Sequence, residues 1–385
     1  MTAPSSETPC SAAPSRHPSP DAPPPTSPAM GERILATWAE GSLLCAPPDD
    51  PRAEVRLLGV GESSAAWELR PREQQTLIVR VPRDPAAPAA PRSAEAAALT
   101  QLRHVGDIVP VAVAVHDDPA TSPLGVPVLV TTAQPGRILP PARWTPEHLR
   151  AHARTLARLH TVAMPGRGTL RLGPDPLADV TPGPLPLLPE ARAALEGQCR
   201  RAPEVITREG LAPLVDAALA VVERVDELAG PCAEFVVAHG DLCATNVVWE
   251  SDAEAGALGA RPRFIDLEWA RADDPARDLE ILAGPIHVDP WYLPGDKQTW
   301  RLLVEEYVRA GAQARGAQTP HPSDLAERCE ELLLRMRGWE AYERTSMLLH
   351  VATRASSDPM HARLLPTLRE AVTARLALHP ADRSH

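Results

Sequence analysis

From residue 53 onward, short apolar runs alternate with polar, turn-forming residues. The runs that predict β-strands are rich in aliphatic and β-branched side chains and lie at 53–61, 64–70, 76–83, 108–116 and 126–132. Between the third and fourth runs, residues 91–106 have helical spacing, an acidic residue in the first turn and a glycine after the last. The predicted order over residues 53–132 is therefore β-β-β-α-β-β.

After about residue 142 the apolar positions recur with the period of an α-helix. Residues 145–160 begin with Thr145 as the expected N-cap and Pro146 in the first turn. Further predicted helices lie at 211–230, 296–312, 323–350 and 358–378. Residues 165–190 are rich in Gly and Pro and predict an irregular loop. The fold class is α+β, with a small sheet followed by a mostly helical part.

These patterns predict four segments. Residues 1–30 contain nine prolines among Ser, Thr and Ala, a composition that buries too little apolar surface to offset chain entropy, so we expect a disordered tail. A small sheet domain is predicted at 31–132 and a larger helical domain at 133–378. Residues 379–385 are predicted to form a short tail.

Charge and composition narrow the class of protein. The formal net charge is −11, which argues against nonspecific binding of nucleic acid. No apolar run approaches the ~20 residues that span a bilayer, and no secretory signal is visible. The six cysteines form no CxxC pair. We expect a cytoplasmic protein without a nucleic-acid or membrane partner; its oligomeric state stays open.

One group of motifs carries candidate chemistry. His239, Gly240 and Asp241 are followed by Asn246, five residues after the aspartate. Asp266 ends a later apolar run, and Asp278 closes the stretch "DDPARD". Phosphoryl transfer needs one carboxylate to accept the proton of the nucleophile and oxygen ligands to hold Mg²⁺ against nucleotide phosphates. The spacing from Asp to Asn is that of a protein-kinase catalytic loop.

The chain resembles the aminoglycoside phosphotransferase family over roughly residues 50–350. The motifs that carry the resemblance are "HGDLCATN" and "IDLEWARADDPARDL". This family implies a protein-kinase-like, two-lobed fold, with a small antiparallel-sheet N-lobe that contains one helix and a larger helical C-lobe. The nucleotide is expected in the N-lobe, and the catalytic loop and the acceptor site in the C-lobe.

The resemblance implies roles for individual residues. Asp241 matches the catalytic base, while His239 and Asp278 match residues that support the loop. The positions that match metal ligands, or lie beside one, are Asn246, Asp266 and Glu268. Glu268 follows Asp266 by two residues and has either a metal-binding or a structural role.

The nucleotide-binding residues are less usual. Kinases pair a strand lysine with a helix glutamate, but the only lysine, Lys297, lies after the catalytic motifs. Arg80 stands at the equivalent strand position, and Glu95 is its expected partner. Further candidates are Gly59, Gly61 and Ser63 in a phosphate-covering loop, and Thr132 in the hinge segment 131–134 that would meet the nucleobase.

The resulting hypothesis is a phosphotransferase that moves the γ-phosphoryl group of ATP or GTP, with Mg²⁺, to a hydroxyl group of a small molecule such as an aminoglycoside. A nucleotide-binding module without catalysis is the first alternative. A protein kinase is the second, although no activation segment ending in A-P-E follows the motifs. The sequence does not select the acceptor, or ATP over GTP.

Overall fold

The computed structural model describes residues 22–84, 92–250, 260–282, 291–293, 295–316 and 321–377. The first 21 residues and the predicted tail at 379–385 lie outside these ranges. The described residues form two compact units. Unit 1 takes its residues from Met1–Pro135, Thr169–Asp179 and Arg263–Arg271, and unit 2 from Gly136–Gly168, Val180–Pro262 and Ala272–His385. The division into lobes at 31–132 and 133–378 stays a prediction. The sequence patterns did not predict that unit 1 also takes in residues 169–179 and 263–271.

Unit 1 is built on a five-stranded antiparallel sheet in the order β1-β2-β3-β5-β4. Its strands are β1 (Ala53–Val60), β2 (Ser64–Pro71), β3 (Leu77–Pro82), β4 (Ala112–His116) and β5 (Val128–Thr132), and its helices are α1 (Pro28–Ala39) and α2 (Arg92–Gln101). The predicted order β-β-β-α-β-β is confirmed. A short strand, β12 (Pro262–Phe264), stands where the chain passes from unit 2 to the inserted segment of unit 1 that carries Asp266.

Alternation along β3 separates the core of unit 1 from its polar face. Successive side chains of a strand point to opposite faces of the sheet. Val79 and Val81 are fully buried and pack in a cluster with Met30 and Trp38 of α1. Arg80, between the two valines, therefore points to the other face, which α2 covers.

The predicted N-terminal tail ends too late. Ser27 caps α1 by accepting a hydrogen bond from the Met30 N–H group, and the Met30 side chain is fully buried. The Trp67 indole also donates to the Pro25 carbonyl. A single apolar residue among prolines gives no hydrophobic period from which a helix could be predicted. The start of α1 therefore depends on packing against β2.

Unit 2 is mostly helical and contains α3 (Pro146–Leu159), α4 (Leu188–Arg201), α5 (Pro203–Glu209), α6 (Ala212–Ala229), α7 (Ala276–Leu282), α8 (Lys297–Ala314), α9 (Pro322–Arg354) and α10 (Pro359–Leu376). The 33-residue helix α9 packs against α4, α6, α7, α8 and α10. Thr145 caps α3 and Gly230 ends α6, as predicted. Burial of α9 on several sides explains its length in a chain whose other helices are shorter.

Short strands complete unit 2. Five of them form a sheet in the order β7-β10-β13-β8-β9, with bounds β7 (Ala163–Met164), β8 (Gly166–Thr169), β9 (Asp179–Pro182), β10 (Phe235–Ala238) and β13 (Arg271–Asp273). In addition, β6 (Arg137–Ile138) pairs with β11 (Val247–Trp249). The prediction of an irregular loop at 165–190 is thus wrong where β8 and β9 lie. A Cβ atom at Gly166 would collide with the backbone of Thr181, so the glycine permits close strand contact.

The described residues confirm the α+β fold class. Among them, no helix is both long enough and apolar enough to cross a membrane.

Leu69→Ala should destabilise unit 1. Leu69 is fully buried in the core cluster of the sheet. Removing its side chain leaves a cavity and should lower the free energy of unfolding by about 2–5 kcal/mol in urea titrations. Leu58→Ala on β1 is the matched control, because Leu58 is 47% exposed and its truncation should change stability by less than about 0.5 kcal/mol. Equal effects of the two substitutions would contradict the assigned core.

Candidate active site

The loop that carries Asp241 follows a fully buried strand. All four residues of β10 are buried, and the chain then turns at Gly240, whose φ of +81° favours glycine. A single 3₁₀ turn, Ala244–Asn246, leads directly into β11. The amide of Ala244 also donates to the Trp291 carbonyl at 2.8 Å. The loop is therefore held at both ends by buried strands.

The carboxylate of Asp278 holds this loop from α7. It accepts backbone N–H groups from His239 at 2.6 Å and from Gly240 at 2.8 Å. His160 Nε2 lies 3.0 Å from the same carboxylate, and His160 Nδ1 lies 3.0 Å from the Tyr307 hydroxyl. All of these residues, Gly240 included, are buried. The loop backbone is thus braced by a buried charge.

The surroundings of Asp278 favour its charged form. Burial alone would raise the pKa of this carboxyl, but the hydrogen bond and charge of His160, the charge of His239 and the Gly240 N–H group outweigh burial and lower it to about 2. Asp278 therefore remains a carboxylate over the working range of most enzymes.

Asp241 and Asn246 are in direct contact. The Asn246 amide nitrogen donates to the Asp241 carbonyl at 2.7 Å and to its Oδ2 at 3.1 Å. The Asp241 N–H group donates to His239 Nδ1 at 3.3 Å. These bonds turn the amide nitrogen of Asn246 toward Asp241. The side-chain oxygen of Asn246 is the atom chemically suited to bind a cation. Cys243 is buried, which raises its thiol pKa to about 12 and makes it a poor nucleophile.

A second cluster lies in unit 1 around Arg80. Its guanidinium donates to Glu95 Oε1 at 2.6 Å and contacts Asp266 Oδ1 and Glu268 Oε2, the latter at 3.0 Å. The Leu267 N–H group donates to the same Glu95 oxygen at 3.1 Å. Although burial opposes the charge, the three carboxylates raise the pKa of Arg80 above its usual value. The predicted pair of Arg80 and Glu95 is therefore formed, and both metal-ligand candidates of unit 1 adjoin it.

Backbone geometry at Asp266 is unusual. Its φ of +65° lies in the left-handed region, where residues other than glycine are uncommon and aspartate is among the better tolerated. The Asp266 side chain is 38% exposed, whereas the following Leu267 is fully buried. The turn thus anchors Leu267 in the interior and leaves the Asp266 carboxylate accessible.

Glu268 is bonded to residues that are distant from it in sequence. Ser63 Oγ donates to its two carboxylate oxygens at 2.9 and 2.7 Å. Arg92 NH1 lies 3.6 Å from Oε2, while Arg92 NH2 donates to Ser64 Oγ at 2.6 Å. The β1–β2 turn is thereby joined to the segment that carries Asp266.

The remaining candidates differ in placement. Gly61 donates its N–H group to the Ser64 carbonyl at 2.8 Å and closes the turn between β1 and β2, and Gly59 has open space where a Cβ would stand. Thr132 is committed to the sheet, because its N–H group donates to the Val111 carbonyl and its hydroxyl accepts from the Val111 N–H group. The Thr132 N–H group is thus taken up by the sheet, and a contact of this residue with the nucleobase stays a prediction.

Sequence reasoning gave no site role to three residues that take part, namely Arg92, His160 and Tyr307. Arg92 lies three residues before Glu95 on α2, a spacing that places both on one helix face and was a usable signal. Burial, together with the positive charge of Arg80, lowers the pKa of Arg92. His160 and Tyr307 lie 147 residues apart, and no local pattern relates them.

The donor set of this site fits Mg²⁺. Carboxylate and amide oxygens are the ligands that this cation prefers. The Asp266 carboxylate is already aimed at a cation, the guanidinium of Arg80. In unit 1 the carboxylate of Asp266, with Glu268 beside it, is a donor of this kind, and in unit 2 the amide oxygen of Asn246 is another.

An antiparallel sheet with a helix after its third strand, together with a helical unit that carries a braced Asp loop, defines the class of protein-kinase-like phosphotransferases. The model of the phosphotransferase enzyme family matches residues 54–327. The chain belongs to this family, as its motifs predicted. It is a small-molecule phosphotransferase that uses a hydroxyl group as acceptor.

Solved structures share the fold. An ethanolamine kinase from Plasmodium vivax superposes with a TM-score of 0.63 at 13% identity, over 91% of this chain and 88% of that one. A choline kinase from Cryptosporidium parvum Iowa II gives 0.57 at 11% identity, over 90% and 93%. A candidate fructosamine-3-kinase from Thermobifida fusca gives 0.52 at 20% identity, over 90% and 99%. No curated protein sequence matches this chain.

Asp278→Asn should destabilise unit 2 in a pH-dependent manner. Because folding lowers the pKa of Asp278 from 3.8 to about 2, its ionisation stabilises the native state above pH ~4, and this contribution is lost as the pH falls toward 2. The stability gap between wild type and variant in urea unfolding should exceed about 2 kcal/mol at pH 7 and narrow by about 1 kcal/mol at pH 3.

Asp216→Asn is the control, because Asp216 is an exposed residue of α6. Its gap to wild type should stay near zero at both pH values. A gap for Asp278→Asn that is constant or grows on acidification would contradict the buried-charge account.

Proposed function

We propose that this protein transfers the γ-phosphoryl group of ATP or GTP, in the presence of Mg²⁺, to a hydroxyl group of a small molecule. The observation that carries the proposal is the Asp241–Asn246 pair on a loop braced by Asp278, in a chain of the phosphotransferase family. Residues 31–132 are assigned to nucleotide binding and 133–378 to the catalytic loop and the acceptor.

Asp241 is the proposed catalytic base. Its carboxylate would accept a hydrogen bond from the acceptor hydroxyl and take the proton late in transfer, as the oxygen bonds to phosphorus. The contact with Asn246 Nδ2 limits rotation of the carboxylate, and the Asp278 brace limits movement of the loop. Orientation of this kind contributes much of the rate in phosphoryl transfer, because little covalent chemistry falls to the protein.

Arg80 is the proposed phosphate ligand, and Glu95 orients it. The 2.6 Å bond to Glu95 fixes one guanidinium nitrogen and leaves the other directed toward Asp266 and Glu268. Asp266 and Asn246 are the proposed magnesium ligands. When bound, Mg²⁺ would neutralise phosphate charge as the terminal bond breaks.

The acceptor is defined only as a class. The neighbouring structures carry the names of kinases for chemically different acceptors, an amino alcohol in two cases and a glycated amine in the third. Their shared fold supports the reaction and does not choose among these acceptors, and an aminoglycoside remains one candidate. We also propose a cytoplasmic location, because ATP is available there and the reducing conditions keep thiols free, as are the five cysteines of the described residues.

Asp241→Ala should reduce turnover by at least about 100-fold while nucleotide affinity stays within twofold, because general-base catalysis acts on the chemical step. The assay incubates the protein with ATP or GTP, Mg²⁺ and a pooled library of hydroxylated metabolites and antibiotics. Mass spectrometry then detects any compound that gains one phosphoryl group.

Asp216→Ala is the matched control, since this aspartate is exposed on α6. A product seen with wild type and Asp216→Ala but lost in Asp241→Ala supports the assignment. Wild-type turnover in Asp241→Ala contradicts it. Nucleotide binding with neither transfer nor Asp241-dependent hydrolysis would favour a noncatalytic module.

Asp266→Ala should remove the part of nucleotide affinity that depends on Mg²⁺. Calorimetric titration with ATP in Mg²⁺ and in EDTA measures this part directly. We expect the ratio of the two affinities to fall toward one in the variant, because a metal-bound carboxylate is lost. An unchanged ratio would exclude Asp266 as a magnesium ligand.

A further inference from the structure

The carboxylate of Glu268 lies within a group of donors typical of a phosphate site. It accepts one hydrogen bond from the Ser63 hydroxyl, shared between its two oxygens at 2.9 and 2.7 Å, and one from Arg80 NH2 at 3.0 Å. Arg92 NH1 lies 3.6 Å from the same oxygen Oε2. Two guanidinium groups and a hydroxyl thus converge on one anion. Arginine and hydroxyl donors serve carboxylates and phosphates alike, because both are oxyanions.

Arg92 is the least well-satisfied member of the group. Its side chain is only 5% exposed, and among the described residues its Nε has no hydrogen-bond partner. NH2 donates to Ser64, a neutral hydroxyl, and the distance of 3.6 Å to Glu268 is long for a charge-assisted hydrogen bond. A buried guanidinium with such partners retains the capacity to bind a second oxyanion.

Glu95, the other buried carboxylate of the cluster, holds the Arg80 side chain and the backbone of Leu267. Glu95 Oε1 accepts from Arg80 and from the Leu267 N–H group, so this oxygen is committed to holding the Arg80 side chain and the backbone next to Asp266. Glu268 is therefore the carboxylate whose donors, Ser63 and the two arginines, can be transferred to another anion. Ser63 belongs to the β1–β2 turn, which the sequence predicts to cover nucleotide phosphates.

We propose that Glu268 occupies a phosphate subsite in the nucleotide-free protein, and that Arg92 is a second phosphate-binding arginine of this subsite beside Arg80 and Ser63. The proposal rests on the proposed function. A nucleotide phosphate takes over the donors from the Glu268 carboxylate, which must move aside. Without Mg²⁺ the displaced carboxylate and the phosphates repel each other. With Mg²⁺ bound, the positive charge of the metal would offset this repulsion.

The first test is calorimetric binding of ATP and GTP to the full chain in EDTA, compared with Glu268→Gln. The amide keeps the size of the side chain and removes the competing charge. We expect Glu268→Gln to bind the metal-free nucleotide about tenfold more tightly than wild type, since the lost repulsion and lost competition are together comparable with one charge-assisted bond. Glu54→Gln on β1 is the control, because Glu54 is exposed and outside the cluster.

The second test is Arg92→Gln, titrated with ATP and with adenosine. Loss of a phosphate ligand should weaken ATP binding about tenfold and leave adenosine binding unchanged. Arg56→Gln, an exposed arginine paired with Glu68 on the neighbouring strand, should alter neither. Thermal unfolding checks that each variant folds. If Arg92→Gln does not fold, Arg92→Lys and the Glu268→Gln titration test the subsite.

The outcomes are separable from those of the proposed function. Unchanged or weaker metal-free binding in Glu268→Gln overturns the subsite, as does an equal loss of ATP and adenosine affinity in Arg92→Gln. Asp241-dependent phosphoryl transfer would still stand in that case. If wild type binds neither nucleotide, both proposals fail together.

Discussion

A charge buried in a protein must be met by opposite charge or by hydrogen-bond donors, and this constraint organises both parts of the candidate site. In unit 2 the Asp278 carboxylate gathers two backbone N–H groups and His160. In unit 1 the Arg80 guanidinium gathers the carboxylates of Glu95, Asp266 and Glu268. Burial removes the solvation of each charge, and its partners offset that loss; removal of one partner from a buried pair costs roughly 3–5 kcal/mol. The surrounding segments are therefore held where the charges need them.

This arrangement is useful for phosphoryl transfer because it fixes groups before substrate arrives. The loop around Asp241 is held by hydrogen bonds from its backbone N–H groups to the Asp278 carboxylate. The charged cluster of unit 1 brings the β1–β2 turn, β3, α2 and the segment around Asp266 into contact through six side chains. An enzyme that stabilises charge by preorganised groups gains from rigidity of this kind, since reorganisation during the reaction is avoided.

Local signals were strongest where burial repeats with a regular period. The strands of the first sheet and the helices at 297–314, 322–354 and 359–376 follow from alternation and helical spacing, and their predicted bounds differ from the structure by a few residues. Prediction failed where context decides. The Gly/Pro-rich stretch at 165–190 forms short strands because neighbouring strands supply their hydrogen bonds. Residues 28–30 are helical because Met30 has a core to enter.

The sequence by itself determined which chemical groups are present and, through motif spacing, which stand on the catalytic loop, because those groups are local in the chain. It also indicated Arg80 as the replacement for a lysine. Only the tertiary structure decided the partners of Glu268 and Arg92. Ser63 and Glu268 are 205 residues apart, and Arg92 meets both Ser64 and Glu268 through folding alone. Such contacts depend on the three-dimensional path of the backbone, which a one-dimensional pattern of residue types does not encode locally.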